Sequence, residues 1–265
     1  MTIGLKAPEP ISNTLLDRLM VLERGEHDDL EVRRIVQDAN KLVKAGGDLT
    51  AQGYGVLGAV ASYQLDPAEV ERCFKNAIAQ SDPDNFVVFQ LNRSIALHRV
   101  YKQREALKLI ADVIHRHKDN LMLIREGIRL ASCALQFEQL KEFRDLLELL
   151  HCEMPTDVAL TDYEELLFMA KQSEMGITSD DIVKRIDAAG ETLLRQKVRF
   201  GSVNLRVTSD GECNYQFCVK VSPQEAAELT FTIADRLVEQ FEDPMEKLLT
   251  FSVFPFELDS YKEAA

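Results

Sequence analysis

The chain has 265 residues, 46% of them hydrophobic and 28% charged, with 12 glycines and 8 prolines. That composition supports one large domain or two smaller ones and excludes a collagen-like or long disordered chain. The net charge of −13 at pH 7 disfavours general binding to phosphate backbones and favours basic partners, although acidity also serves solubility alone. The first twelve residues, Met1 to Ser12, have no basic flank and no apolar run, so no signal peptide is expected. No segment reaches the length of a membrane span. The five cysteines, Cys73, Cys133, Cys152, Cys213 and Cys218, form no C-x-x-C and are odd in number, which fits a reduced, cytoplasmic compartment.

In chain order, residues 12–24 read as a helix capped by Ser12 or Asn13, with Leu15, Leu16, Leu19 and Leu22 as its stripe. A second helix, 28–45, is closed by Gly46-Gly47. Helical pairs follow at 50–63 with 67–80, 85–99 with 103–117, and 120–135 with 138–150. Asp66-Pro67 supplies a cap followed by proline at the first helical position. After the Pro155 break, Thr161 starts a helix through Lys171, and Thr178 with Asp181 opens another at 179–195.

The apolar period then changes from 3.6 to 2. Val203, Leu205 and Val207 alternate with polar residues, as do Tyr215, Phe217, Val219 and Val221, and Ser209-Asp210-Gly211 is a turn signal between them. Ser222-Pro223 opens a helix whose apolar side carries Ala226, Leu229, Ile233, Leu237 and Phe241. A last strand, about 248–256, places Leu249, Phe251 and Val253 on one face and Phe254 and Phe256 on the other. The expected fold class is therefore α+β. Mostly α-helical hairpin repeats (residues 1–175) precede a small αββαβ domain with a three-stranded sheet (176–265). Cys213 and Cys218, five apart on one hairpin, point to opposite faces and do not pair.

The helical pairs echo one another at a spacing of roughly 35 residues. Tyr54, Leu57, Gly58, Phe74 and Ala77 mark the first unit, with Pro83 beyond them. Ser94, Ala106, Ile110 and Val113 mark the second, and Gly127 and Phe143 the third. Residues 50–150 thus resemble degenerate tetratricopeptide repeats. The resemblance implies a solenoid of stacked helical hairpins with a peptide-binding groove. Of the five groove positions with which some members of that family grip a terminal carboxylate, Asn92 and Arg125 keep the expected type. Gly55, Ala59 and Leu121 do not, which argues against that ligand. The groove positions carried over include Tyr63, Asn92, His98, Arg99 and Arg125, a mixture suited to an amphipathic or extended peptide.

Other motifs resolve into structural readings. Gly53-Tyr54-Gly55-Val56-Leu57-Gly58 is a literal G-x-G-x-x-G, but a helix end and a loop precede it where a dinucleotide site needs a strand. His115-x-His117 puts two imidazoles on different faces of a helix end, where they complement the dipole. No H-E-x-x-H, phosphate-binding or nucleophile-elbow motif occurs, and no catalytic residue, cofactor or metal is expected. Between residues 184 and 206 six bases face two acids, whereas from 223 to 265 ten acids face three bases. The expected function is a non-enzymatic interaction adaptor for a protein or peptide partner of basic character, in the manner of an antitoxin, immunity protein or secretion chaperone. The open sheet edge with Phe254 and Phe256 is expected to be a second contact. The alternative is a regulator whose C-terminal domain binds nucleic acid or a small ligand.

Overall fold

The computed structural model describes residues 11–24, 28–153, 160–243 and 245–256. The expected elements form with small shifts. The helices are α1 (Ile11–Arg24), α2 (Asp29–Ala45), α3 (Asp48–Tyr63), α4 (Pro67–Gln80), α5 (Pro83–Arg99), α6 (Gln103–Ile114), α7 (Leu121–Cys133), α8 (Phe137–Leu149), α9 (Asp162–Glu174) and α10 (Ser179–Arg195). Strands β1 (Ser202–Val207) and β2 (Cys213–Val219), helix α11 (Pro223–Gln240) and strand β3 (Leu249–Pro255) complete an α+β chain. Capping side chains set several helix starts. Asp28, Asp66, Thr161, Thr178 and Ser222 each accept backbone N–H groups of the turn they open. The Pro155 break lies outside the described residues.

Two compact units emerge, residues 1–96 and 97–265, and their division falls within α5. The boundary expected near residue 175 lies inside the second unit, because α10 packs on α6 as well as on α11.

In the first unit, Leu15, Leu19 and Leu22 of α1 meet Val32, Ile35, Ala39 and Leu42 of α2 and Val56, Val60 and Tyr63 of α3. The three glycines of α3 let neighbouring helices approach. A Cβ at Gly53 would lie 2.7 Å from the Ala39 carbonyl oxygen of α2. One at Gly55 would lie 2.8 Å from the Phe89 ring of α5, and one at Gly58 2.6 Å from the Phe74 ring of α4. The G-x-G-x-x-G is thus a packing motif, and its glycines are contact points for three different helices.

The same turn recurs along the chain. Leu65, Tyr101 and Leu135 adopt left-handed backbone with φ of 58, 60 and 53°, at positions 36 and 34 residues apart. Each closes the preceding helix with a pair of hydrogen bonds. The amides of Leu65, Tyr101 and Leu135 donate to the carbonyls of Ser62, His98 and Ser132. Those of Asp66, Lys102 and Gln136 donate to Ala61, Leu97 and Ala131. This is the glycine-type helix stop built without glycine.

In the second unit α6, α7 and α8 pack in succession and α10 lies against α6. The sheet has the order β1-β2-β3, with β1 antiparallel and β3 parallel to β2. Its dry face carries Leu205, Cys213, Tyr215, Phe217, Val219, Leu249 and Val253. Tyr101, at the left-handed turn, is sealed into this core. It packs edge-on against Phe200 and Phe217, and its hydroxyl donates to the Val198 carbonyl at 3.0 Å. Gly190 of α10 admits it, since a Cβ there would lie 2.7 Å from Tyr101 Cβ. All five cysteines are free.

Candidate functional site

The residues expected to bind a partner are divided between the two units. Tyr63 and Asn92 belong to the first unit, and His98, Arg99, Arg125, Phe254 and Phe256 to the second. Two of them are corrected outright: Tyr63 and His98 are 3% and 2% exposed. Tyr63 continues the Val56–Val60 stripe by one helical step and joins the core. His98 occupies the position taken by Ser62 and Ser132 in the other two turns, where the turn encloses the side chain. Its Nδ1 pairs with Gln103 Oε1 and its ring meets Phe200. Burial pushes its pKa well below the usual imidazole range, so it is neutral. Arg125 is exposed, Asn92 and Arg99 are half-buried, and on β3 Phe254 is 50% exposed while Phe256 is half-buried.

At the expected open edge of β3 one backbone amide is already taken. The Val253 N–H, directed away from β2, donates to Thr230 Oγ1 of α11 at 2.9 Å. A backbone amide that already has a partner is lost to an incoming strand.

Three cations of the basic run at 184–206 have partners within the protein. Lys184 pairs with Asp180 at 2.7 Å, and Arg195 with Glu191 at 2.8 Å. Arg185 is buried with its guanidinium 4.3 Å from the Phe241 ring centroid, donating to the backbone carbonyls of Asp181 and Asp243. The Arg185 contacts tie α10 to the end of α11, whereas the Lys184 and Arg195 pairs are exposed and lie within α10. His115 meets Glu142 of α8 at 2.8 Å. No group of three or more metal-ligating side chains occurs among the described residues, nor is any described helix long and apolar enough to cross a membrane.

Two features of the second unit stand out instead. The first is the outer face of α11. Ala227, Phe231, Ala234 and Val238 recur at spacings of four, three and four residues and are all exposed, Phe231 by 71% and Val238 by 66%. This is the spacing of a coiled-coil seam. Glu228 and Asp235 run beside it on the solvent side, with Glu225 and Glu239 one row further round. Arg236 is the one base on the helix. The sequence reading followed the buried stripe of Ala226, Leu229, Ile233 and Leu237 and missed this second stripe beside it. Its signal was the 4-3-4 spacing of Ala, Phe, Ala and Val.

The second feature is a cleft of about 210 Å3 at the C-terminal end of α11, lined by Gln240 and Phe241, by the Val100–Lys102 turn and by one face of α10. Asp187 lies in it. One oxygen of its carboxylate accepts the backbone N–H groups of Gln103 at 2.9 Å and Arg104 at 3.4 Å, so a side chain of α10 caps α6. Burial pushes the Asp187 carboxyl up to about 6, against the lowering effect of those two amides. Glu191 stands one helical turn along on the same face. Sequence reasoning counted Asp187 only as one acid in a basic run, since its partners are 83 and 84 residues away. No family description, curated protein or solved structure matches the chain.

Proposed function

We propose that this chain is a non-enzymatic adaptor that holds a basic, amphipathic helical segment of a protein partner along α11. The observation that carries this reading is the exposed seam of Ala227, Phe231, Ala234 and Val238 bordered by carboxylates. Exposed apolar side chains at heptad spacing match the apolar face of a second helix. The bordering acids select a partner with lysine or arginine at the facing positions. They also disfavour a second copy of this acidic chain, which brings like charge to like. Neutralising or chaperoning a basic protein is the activity this architecture serves.

The test is a fluorescence anisotropy titration of the full chain with a synthetic amphipathic helix of leucine, lysine and arginine in heptads. Binding is expected to weaken with salt. It is also expected to fall about a hundredfold in the Phe231→Glu/Val238→Glu variant, which removes two central anchors. A charge-reversed peptide that binds equally well, or a double variant that binds as the wild type does, overturns the reading. Dimerisation of the wild type that is lost in the double variant reassigns the seam to a second copy.

A further inference from the structure

The seam on α11 leads to the cleft. Val238 is followed by Gln240 and Phe241, both of which line it. Apolar surface from Val100, Ala188, Leu194 and Phe241 surrounds a polar pair, Asp187 and Glu191, one turn apart on α10. Asp187 spends one oxygen on the α6 amides, and its second oxygen makes no hydrogen bond within the described protein.

The two lysines of the cleft have anionic partners of their own. Lys184 lies 2.7 Å from Asp180 and 3.8 Å from Asp181, and Lys102 lies 4.0 Å from Glu105. The charged groups around Asp187 are therefore Lys102 and Glu105 on the α6 side and Lys184, Glu191 and Arg195 on α10, where Arg195 holds one oxygen of Glu191 at 2.8 Å and leaves the other to an incoming donor. The end of α11 contributes only an amide and an aromatic ring to the cleft.

We infer that the cleft receives an arginine side chain of the segment docked on α11, its methylene stem against the apolar wall and its guanidinium bridging Asp187 and Glu191. Arginine fits better than lysine because its planar fork presents five donors to two carboxylates and lies flat on an aromatic face. The fold already uses the Phe241 ring in this way for Arg185. The inference rests on the adaptor reading for the source of the arginine but not for the chemistry of the cleft. Because burial disfavours the ionised Asp187, a bound cation pulls the carboxyl back toward its ordinary range. Occupancy and deprotonation are thus linked.

The amides of Gln103 and Arg104 donate to Asp187 and report on it directly. The experiment follows their nitrogen and proton chemical shifts in the labelled full chain from pH 4 to pH 8. It is run alone, with N-acetyl-arginine-amide, and with the uncharged N-acetyl-citrulline-amide at matched salt. The two amides are expected to titrate together with a midpoint near 6. The arginine probe is expected to lower that midpoint by about one pH unit at ten times its Kd, and the citrulline probe to leave it in place. In Asp187→Asn the titration and the effect of arginine both vanish. A midpoint that ignores the arginine probe, or amides that do not titrate, overturns the inference. This outcome is independent of the helical peptide: a cleft that fails while the peptide still binds leaves the seam reading standing, and the reverse result removes the seam alone.

Discussion

The two compact units are held by different means. In residues 1–96 the organising element is α3, whose three glycines bring α2, α4 and α5 to backbone or ring contact. The second unit buries charged residues, Glu165 and Arg185, where the buried polar residues of the first are all uncharged among the described residues. His98, Gln103, Ser132, Glu165, Arg185 and Thr192 are all under 9% exposed. Hydrogen bonds and ion pairs between distant parts of the chain align its elements: Tyr101 to Val198, Asp187 to α6, Arg144 to Glu165. Close packing of small residues is unforgiving of added volume. A polar link is unforgiving of losing one partner. The comparison therefore predicts opposite sensitivities, and variants in each unit sharpen or break it.

The largest effect is expected at Gly53. A Cβ there meets the Ala39 carbonyl oxygen and, at 2.8 Å, the Val43 backbone nitrogen, neither of which moves without shifting α2. Gly53→Ala is expected to lower stability by about 3 kcal/mol despite the better helix propensity of alanine. Urea unfolding measures this, and a neutral result breaks the account of α3. Next is the Arg144–Glu165 pair of the second unit, bidentate at 2.7 and 2.6 Å with side chains 18% and 10% exposed. Glu165→Ala leaves the guanidinium only a longer contact, 3.6 Å, to the exposed Asp162 and is expected to cost about 3 kcal/mol or slightly less. Arg144→Met/Glu165→Leu, which removes both charges, should recover most of that loss. A double variant no better than the single one contradicts a polar-link origin.

Asp187 gives a smaller effect with a distinctive pH dependence. Its folded pKa lies above the ordinary value, so the folded state holds the proton more tightly than the unfolded chain does. The stability it contributes is present at about pH 4 and is lost as pH rises through about 6. Relative to Asp187→Asn, the wild type is expected to lose about 2 kcal/mol across that window. Carboxylates held low by hydrogen-bonded partners, such as Glu69 beside Arg72 and Glu164 at its cap, act in the opposite sense. They lose their contribution only as pH falls below the ordinary carboxylate range. The smallest of these effects is Tyr101→Phe, about 1 kcal/mol from the hydroxyl bond to Val198, measured by thermal unfolding.

The units also differ in how legible they were. Helix spans were readable in both, because apolar period and caps such as Asp66-Pro67 are local signals. So was the alternation that put Phe217 on the dry face and Phe254 on the wet one. The recurring turn was concealed, because its left-handed residues are Leu65, Tyr101 and Leu135 where sequence rules look for glycine. Tyr63 and His98 were misplaced because a residue's position in a hairpin gives its height along the helix but not what closes over it. Asp187 was invisible as a cap because its helix starts 84 residues earlier in the chain. The α11 seam was readable and was passed over in favour of its buried neighbour.

The central claim is that α11 carries the partner. Its most direct test is hydrogen exchange of the full chain with and without the basic amphipathic peptide. The account predicts added protection concentrated in residues 223–240 and in the Val100–Lys102 turn at the cleft, abolished in Phe231→Glu/Val238→Glu. Protection that falls instead on α3 to α5, with α11 unchanged, would place the binding surface on the helical hairpins and contradict the account.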